Sequence, residues 1–139
     1  PVADLFLNHR VAVVMSTYSR IAALENFDPK NPIESMARVY TGIFHNRSDA
    51  FKENYLVDAF SDFGVDGVVY HEGRTAPYQS NVRYGLENRL RRRTGLHAMV
   101  LEADTHDLRL FSLSHVMQKL RDFIEMQELA AVEGQSRGE

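Results

Sequence analysis

Three short apolar runs, each followed by helix-like sequence, constrain the fold of this chain more than any other feature. They are Val11-Ala-Val-Val-Met15, Val65-Asp-Gly-Val-Val-Tyr70 and Ala98-Met-Val-Leu-Glu102. Being short, β-branched and nearly continuous, they read as strands covered on both faces, the pattern of a parallel sheet. Parallel strands need crossover connections, usually helices, and the sequence between the runs carries helical periodicity.

Asn31-Pro32 opens the first helix. Asn31 is suited to cap free amides, Pro32 fits the first helical position and Glu34 the third. Ile33, Met36, Ala37, Tyr40, Ile43 and Phe44 recur at helical spacing and predict one apolar face. A second helix is predicted after Ser48. Phe51, Tyr55, Leu56, Ala59, Phe60 and Phe63 form its stripe, and Gly64 is placed to end it. Ser80 is placed to cap a third helix carrying Val82, Leu86 and Leu90. That helix ends in Arg91-Arg92-Arg93, where cations complement the negative end of the helix dipole, and Gly95 closes it. Leu113, Val116, Met117, Leu120, Phe123 and Ile124 form the apolar face of the last helix.

This order predicts an α/β fold: a three-layer open parallel sheet of three to four strands flanked by helices, flavodoxin- or Rossmann-like, with right-handed crossovers. The 139 residues suffice for one such domain, expected over residues 1–130, with a polar, disordered tail over 131–139. A fourth strand upstream of Pro1 would make a more usual sheet, so the chain is expected to be the carboxyl-terminal part of a longer subunit.

Cysteine is absent, which excludes disulfides, thiolate metal sites and cysteine nucleophiles within the chain. A net charge of -3, with acidic residues spread along the sequence, gives no footprint for nucleic acid. No apolar run is long enough to span a membrane, and no basic-then-apolar leader opens the chain. A cytoplasmic protein is expected, with neither nucleic acid nor membrane as partner.

Open parallel sheets bind ligands beyond the carboxyl ends of their strands. That rule singles out residues 16–20, 71–80 and 103–110. The loop 71–80 is the densest in polar groups: His71 leaves the strand, Arg74 is a planar donor, and Thr75 and Ser80 are hydroxyls. Helix amides at its far end would add an anion site, suited to a phosphate, a carboxylate or an iron–sulfur cluster. The plainer reading, which pattern alone favours, is that His71 and Arg74 satisfy carbonyls in a tight loop. The secondary candidates are Asp104, Asp107 and Arg109. With His106, the two acids suggest a divalent metal, but the spacing matches no metal loop. More simply, the acids cap local amides and pair with Arg109. Arg91, Arg92 and Arg93 read as a solvated helix end rather than contacts to a coenzyme phosphate. No phosphate-binding loop, dinucleotide fingerprint or serine-hydrolase elbow occurs.

Val65-Asp-Gly-Val-Val-Tyr-His71 followed by Arg74-Thr75, with Tyr78 and Ser80 just beyond, resembles a block of the 2-hydroxyacyl-CoA dehydratase / benzoyl-CoA reductase family. Val100-Leu-Glu-Ala-Asp104 with Asp107, Arg109 and Ser112 is similar to a second block, and Asn31-Pro-Ile-Glu-Ser-Met-Ala-Arg38 to a third. The resemblance spans roughly residues 10 to 127 in matching order. It implies a three-domain subunit whose last α/β domain corresponds to this chain. By the same resemblance, paired homologous subunits each hold an iron–sulfur cluster on cysteines from different domains. An ATP-dependent activator delivers a low-potential electron, and a coenzyme A thioester is reduced to a ketyl radical. Dehydration or aryl-ring reduction follows. This chain would then be part of an acyl-CoA reductase or dehydratase complex rather than a complete enzyme. The family's cysteine falls on Ala76, whose methyl group cannot ligate iron. Two implications stand: a cluster held with fewer ligands, or a cluster-free module that binds CoA or a partner subunit. Either way His71, Arg74, Thr75 and Ser80 are expected to line a polar substrate or cluster pocket.

Overall fold

The structure, a computed structural model, describes residues 1–18, 27–73, 75, 85–104 and 107–136. Among them the order is α1 (Val2–Asn8), α2 (Pro32–Gly42), α3 (Asp49–Asp62), β1 (Gly67–Glu72), α4 (Leu86–Thr94), β2 (His97–Glu102) and α5 (Leu113–Ser136). The fold is mixed α/β, with five α-helices and a two-stranded parallel sheet among the described residues. No helix described is long and apolar enough to cross a membrane. The chain divides into two compact units, residues 13–64 and residues 1–12 with 65–139.

In the larger unit β1 and β2 pair in parallel, from Gly67 opposite His97 to Glu72 opposite Glu102. The second and third predicted strands therefore form, β1 two residues later than its apolar run suggested. Helix α4 is the crossover between them. It buries Leu86 and Leu90, and its three terminal arginines face solvent. Gly95 ends it at φ 73, a left-handed conformation that a side chain would strain. Helix α5 buries Val116, Leu120, Phe123 and Ile124, much of the stripe read from the sequence. Three of these join Leu5 of α1 in one cluster, with Met99 and Leu101 of β2 packed against it. Each fully buried aliphatic side chain of this kind contributes roughly 1.5–3 kcal/mol. Tyr70 lies on the opposite face of β1. Burial, with the Glu87 carboxylate of α4 second, pushes its phenol up to about 12. Helix α5 continues to Ser136, into the segment expected to be a polar tail.

The first predicted strand does not form. Residues 11–15 carry no strand pairing, and Val13 and Val14 are 69% and 50% exposed. The Val11 amide donates instead to the Phe6 carbonyl at 2.8 Å, closing the end of α1. An apolar run has the side chains for a buried strand, but a ladder must also exist for it to join.

In the smaller unit α2 and α3 start where the sequence placed them. Ser48 caps α3 by accepting from the Phe51 amide, and Gly64, at φ 58, follows the helix. The cap of α2 differs from expectation. Asn31 occupies the cap position, but its side-chain amide donates to Asp28 Oδ2 rather than accepting from the helix. The Asn31 amide and then the Lys30 backbone N–H hold the Asp28 carboxyl below its ordinary range. The apolar face of α2 differs too. Ile33 is 82% exposed, Met36 and Tyr40 are exposed, and the helix buries Ser35, whose hydroxyl bonds the Asp28 backbone on both its N–H and C=O sides. A local polar knot thus turns the helix against its hydrophobic stripe.

His45 lies among rings, 6.1 Å from Tyr18 and 5.6 Å from Phe44 between centroids. Its Nδ1 is buried with no hydrogen-bond partner. Burial, and then the Lys52 ammonium, hold its pKa below the ordinary 6.5. A depressed pKa means the unfolded chain binds the proton more readily, so stability is full above pH 6.5 and falls as pH drops through the depressed value. His45→Phe should therefore lose less unfolding free energy than the wild type between pH 7.5 and pH 5 in urea titrations. Equal losses would assign the acid sensitivity elsewhere.

Candidate functional site

Parallel pairing puts both strand ends at one edge. The ladder runs one step past the strands, with the Ala103 N–H donating to the Glu72 carbonyl at 3.2 Å. The chains leaving β1 and β2 therefore start side by side. Asp104 lies two residues beyond β2 and is only 4% exposed. A buried carboxylate is costly unless donors surround it. Thr75, from the loop after β1, donates its backbone N–H to Asp104 Oδ2 and its hydroxyl to Oδ1, both at 2.8 Å. The Asp107 N–H adds a third bond, to Oδ1 at 3.2 Å. One carboxylate thus joins both strand-end loops.

Asp107 faces the other way. It accepts from Arg109 Nε at 2.8 Å and from a terminal guanidinium nitrogen at 2.7 Å, and it caps the following 3-10 turn (Leu108–Leu110) through the Arg109 N–H. The Arg109 side chain, then its backbone, hold the Asp107 carboxyl below the usual range, and Asp107 in turn raises the guanidinium. This is a surface ion pair of small energetic weight. In the structure the Arg109 guanidinium lies on Asp107.

His71 is the penultimate residue of β1, opposite Leu101 and half-buried. Arg74, Ala76, Ser80 and His106 lie outside the described residues, as do residues 19 and 20 of the first strand-end segment. Of the candidates, the structure brings together Thr75 and Asp104, adds Asp107 through its backbone, and pairs Asp107 with Arg109. No group of three or more His, Cys, Asp or Glu suited to a metal ion occurs among the described residues.

Comparison with known proteins gives this edge its context. The family described as 2-hydroxyglutaryl-CoA dehydratase, D-component, matches residues 2–127. The chain belongs to that family. A benzoyl-CoA reductase subunit of Thauera aromatica is 24% identical over 126 residues, covering 88% of this chain and 29% of the relative. The alpha subunit of lactoyl-CoA dehydratase from Anaerotignum propionicum is 29% identical over 103 residues, covering 73% of this chain and 24% of the relative. The chain thus spans less than a third of the length of either relative.

An iron–sulfur cluster, which the resemblance to this family implied, does not fit the donors present. Such clusters are held mainly by thiolates, and this chain has no cysteine at all. Residues 1–139 therefore supply no thiolate for such a cluster.

The contact that sequence reading missed is the bond pair between Thr75 and Asp104. Both residues were candidates, but in separate loops with separate tasks. The available signal was register: once Glu72 is placed opposite Glu102, residues two or three beyond each strand are neighbours.

Proposed function

We propose that this chain is a domain of an acyl-CoA dehydratase or aryl-CoA reductase subunit, and that its strand-end edge shapes the site for a coenzyme A thioester without supplying an iron ligand. The observation that carries this reading is the joining of the two strand-end loops through Asp104, at the sheet edge where open parallel sheets hold ligands. Family membership supplies the substrate class, since both relatives are named for acyl-CoA chemistry. His71, Arg74, Thr75 and Ser80 are the residues assigned to the pocket. His71 is a donor for the thioester carbonyl, and the polar side chains beyond it suit the same anionic or carbonyl groups. In the complete protein the two described strands belong to a larger flavodoxin-like sheet. The reading takes the protein as cytoplasmic and working beside a second homologous subunit and an ATP-dependent electron donor. The relatives' names as subunits support the first partner.

A second reading, a CoA-binding or subunit-interaction module with no redox partner, is favoured by the absence of cysteine. One set of measurements on the complete protein separates them. Benzoyl-CoA and lactoyl-CoA are titrated calorimetrically, and iron and sulfide are assayed after purification without oxygen. Binding of a thioester is expected, weakened about 5- to 10-fold by His71→Ala through loss of one hydrogen bond. Failure of both thioesters to bind would sink both the pocket assignment and the CoA-binding form of the module. Binding with no iron, and no cysteines in the rest of the protein, would favour the module.

A further inference from the structure

We infer that Asp104 is a positioning residue: its carboxylate clasps Thr75, beyond β1, and the Asp107 amide, beyond β2, so that Thr75 is held in place before ligand arrives. The role assigned to the edge rests on the proposed function; the clasp itself does not. Three features carry it. Asp104 is 4% exposed, although it sits beyond the end of a strand at a sheet edge. It accepts both the backbone N–H and the hydroxyl of one residue, Thr75, at 2.8 Å each, so it fixes that residue's backbone and side chain together. It also accepts the Asp107 N–H, and Asp107 grips Arg109, so the clasp continues into the 3-10 turn. Charged acceptors make shorter and stronger hydrogen bonds than neutral ones, and a buried one is costly to leave unpaired. Thr75 is itself solvent-facing, and nothing about an exposed loop residue requires a buried carboxylate to hold it. The geometry makes sense if that residue must stay in place while its outer side faces a ligand.

The test uses the complete protein and three variants, Asp104→Asn, Thr75→Val and Thr75→Ser. Hydrogen exchange is read at the Thr75 and Asp107 amides, alongside thermal stability and benzoyl-CoA affinity. Asp104→Asn keeps the shape but replaces one acceptor oxygen with a donor that faces other donors. It should speed exchange at both amides about 10-fold or more, leaving the β1 and β2 amides slow. Thr75→Val removes the hydroxyl bond and should weaken benzoyl-CoA binding several-fold, with the melting temperature falling by a few degrees because the buried carboxylate loses one donor. Thr75→Ser restores the hydroxyl and should restore affinity, a rescue that a purely structural role would not predict. Unchanged exchange in Asp104→Asn overturns the clasp. So does acceleration shared equally by the strands, which would make Asp104 a residue of global stability. Local acceleration with wild-type affinity overturns the positioning role. If the wild type binds no thioester, the proposed function fails, and the exchange results alone support or overturn the clasp.

Discussion

Leu90→Ala should destabilise the protein by about 2–5 kcal/mol, lowering the melting temperature by roughly 10 °C. Leu90 is 1% exposed, the most buried large side chain among the described residues. Truncation removes three carbons from a closely packed site and leaves a cavity that collapses only in part, so the transfer loss and the cavity loss add. Its place on α4 makes the effect reach beyond stability. Helix α4 is the crossover that brings β2 back alongside β1, and it buries only Leu86 and Leu90 along its length. Losing one of the two leaves the helix held mainly by Leu86 and by its own capping. The strand pair should survive, because α5 and α1 pack on β2 through a separate cluster. Amide exchange should therefore quicken first in residues 86–94 and only later in 97–102. Uniform quickening, or a loss under about 1 kcal/mol, would mean that α4 does not depend on this residue. Leu90→Met, which nearly conserves volume, should cost less than about 1.5 kcal/mol and serves as the control.

The sequence is most legible where local chemistry and burial agree. Ser48 caps α3 and Gly64 follows it, Gly95 stops α4, and Val116, Leu120, Phe123 and Ile124 are buried along α5. In each case one residue type suits one local geometry and no distant partner is needed to choose it. The run at residues 11–15 fails for the opposite reason. Its β-branched side chains are right for a strand, yet strand formation depends on a neighbouring ladder that no local pattern encodes. The face of α2 fails in a third way, since Asp28, Asn31 and Ser35 form a polar knot whose preference outweighs the stripe of Ile33, Met36 and Tyr40. At the candidate site, the sequence shows that polar groups gather beyond two strand ends. It also shows Asp107 beside Arg109, which pair as neighbours do. It does not show that Asp104 reaches Thr75, because that contact spans 29 positions and follows from the register of β1 against β2.

Gly67 tests that dependence on distant packing most directly. As a sequence feature it is a strand glycine, neutral at best, since glycine has no side chain to pack and high chain entropy to lose. In the structure it lies directly under the Phe123 and Gln127 side chains of α5. A Cβ built there would lie 2.8 Å from Gln127 Nε2 and 2.9 Å from Phe123 Cζ, both inside normal contact. Phe123 is 8% exposed and has little room to move, whereas Gln127 is a longer, more flexible chain whose Nε2 is buried without a hydrogen-bond partner. Gly67→Ala should therefore cost about 1–3 kcal/mol through overpacking, and Gly67→Val more. Propensity argues the other way, because alanine restricts the unfolded chain and stabilises by about 0.4–1 kcal/mol where it fits. The sign of the measured change decides which effect wins. Truncating the flexible partner separates them further. In a Gln127→Ala background the nearer of the two contacts is gone, so adding Gly67→Ala should cost at least about 0.5 kcal/mol less than it does alone. Additive losses in that double-mutant cycle would place the strain on Phe123. A stabilising Gly67→Ala would mean that α5 can shift away from β1, and that the glycine is not what sets their spacing.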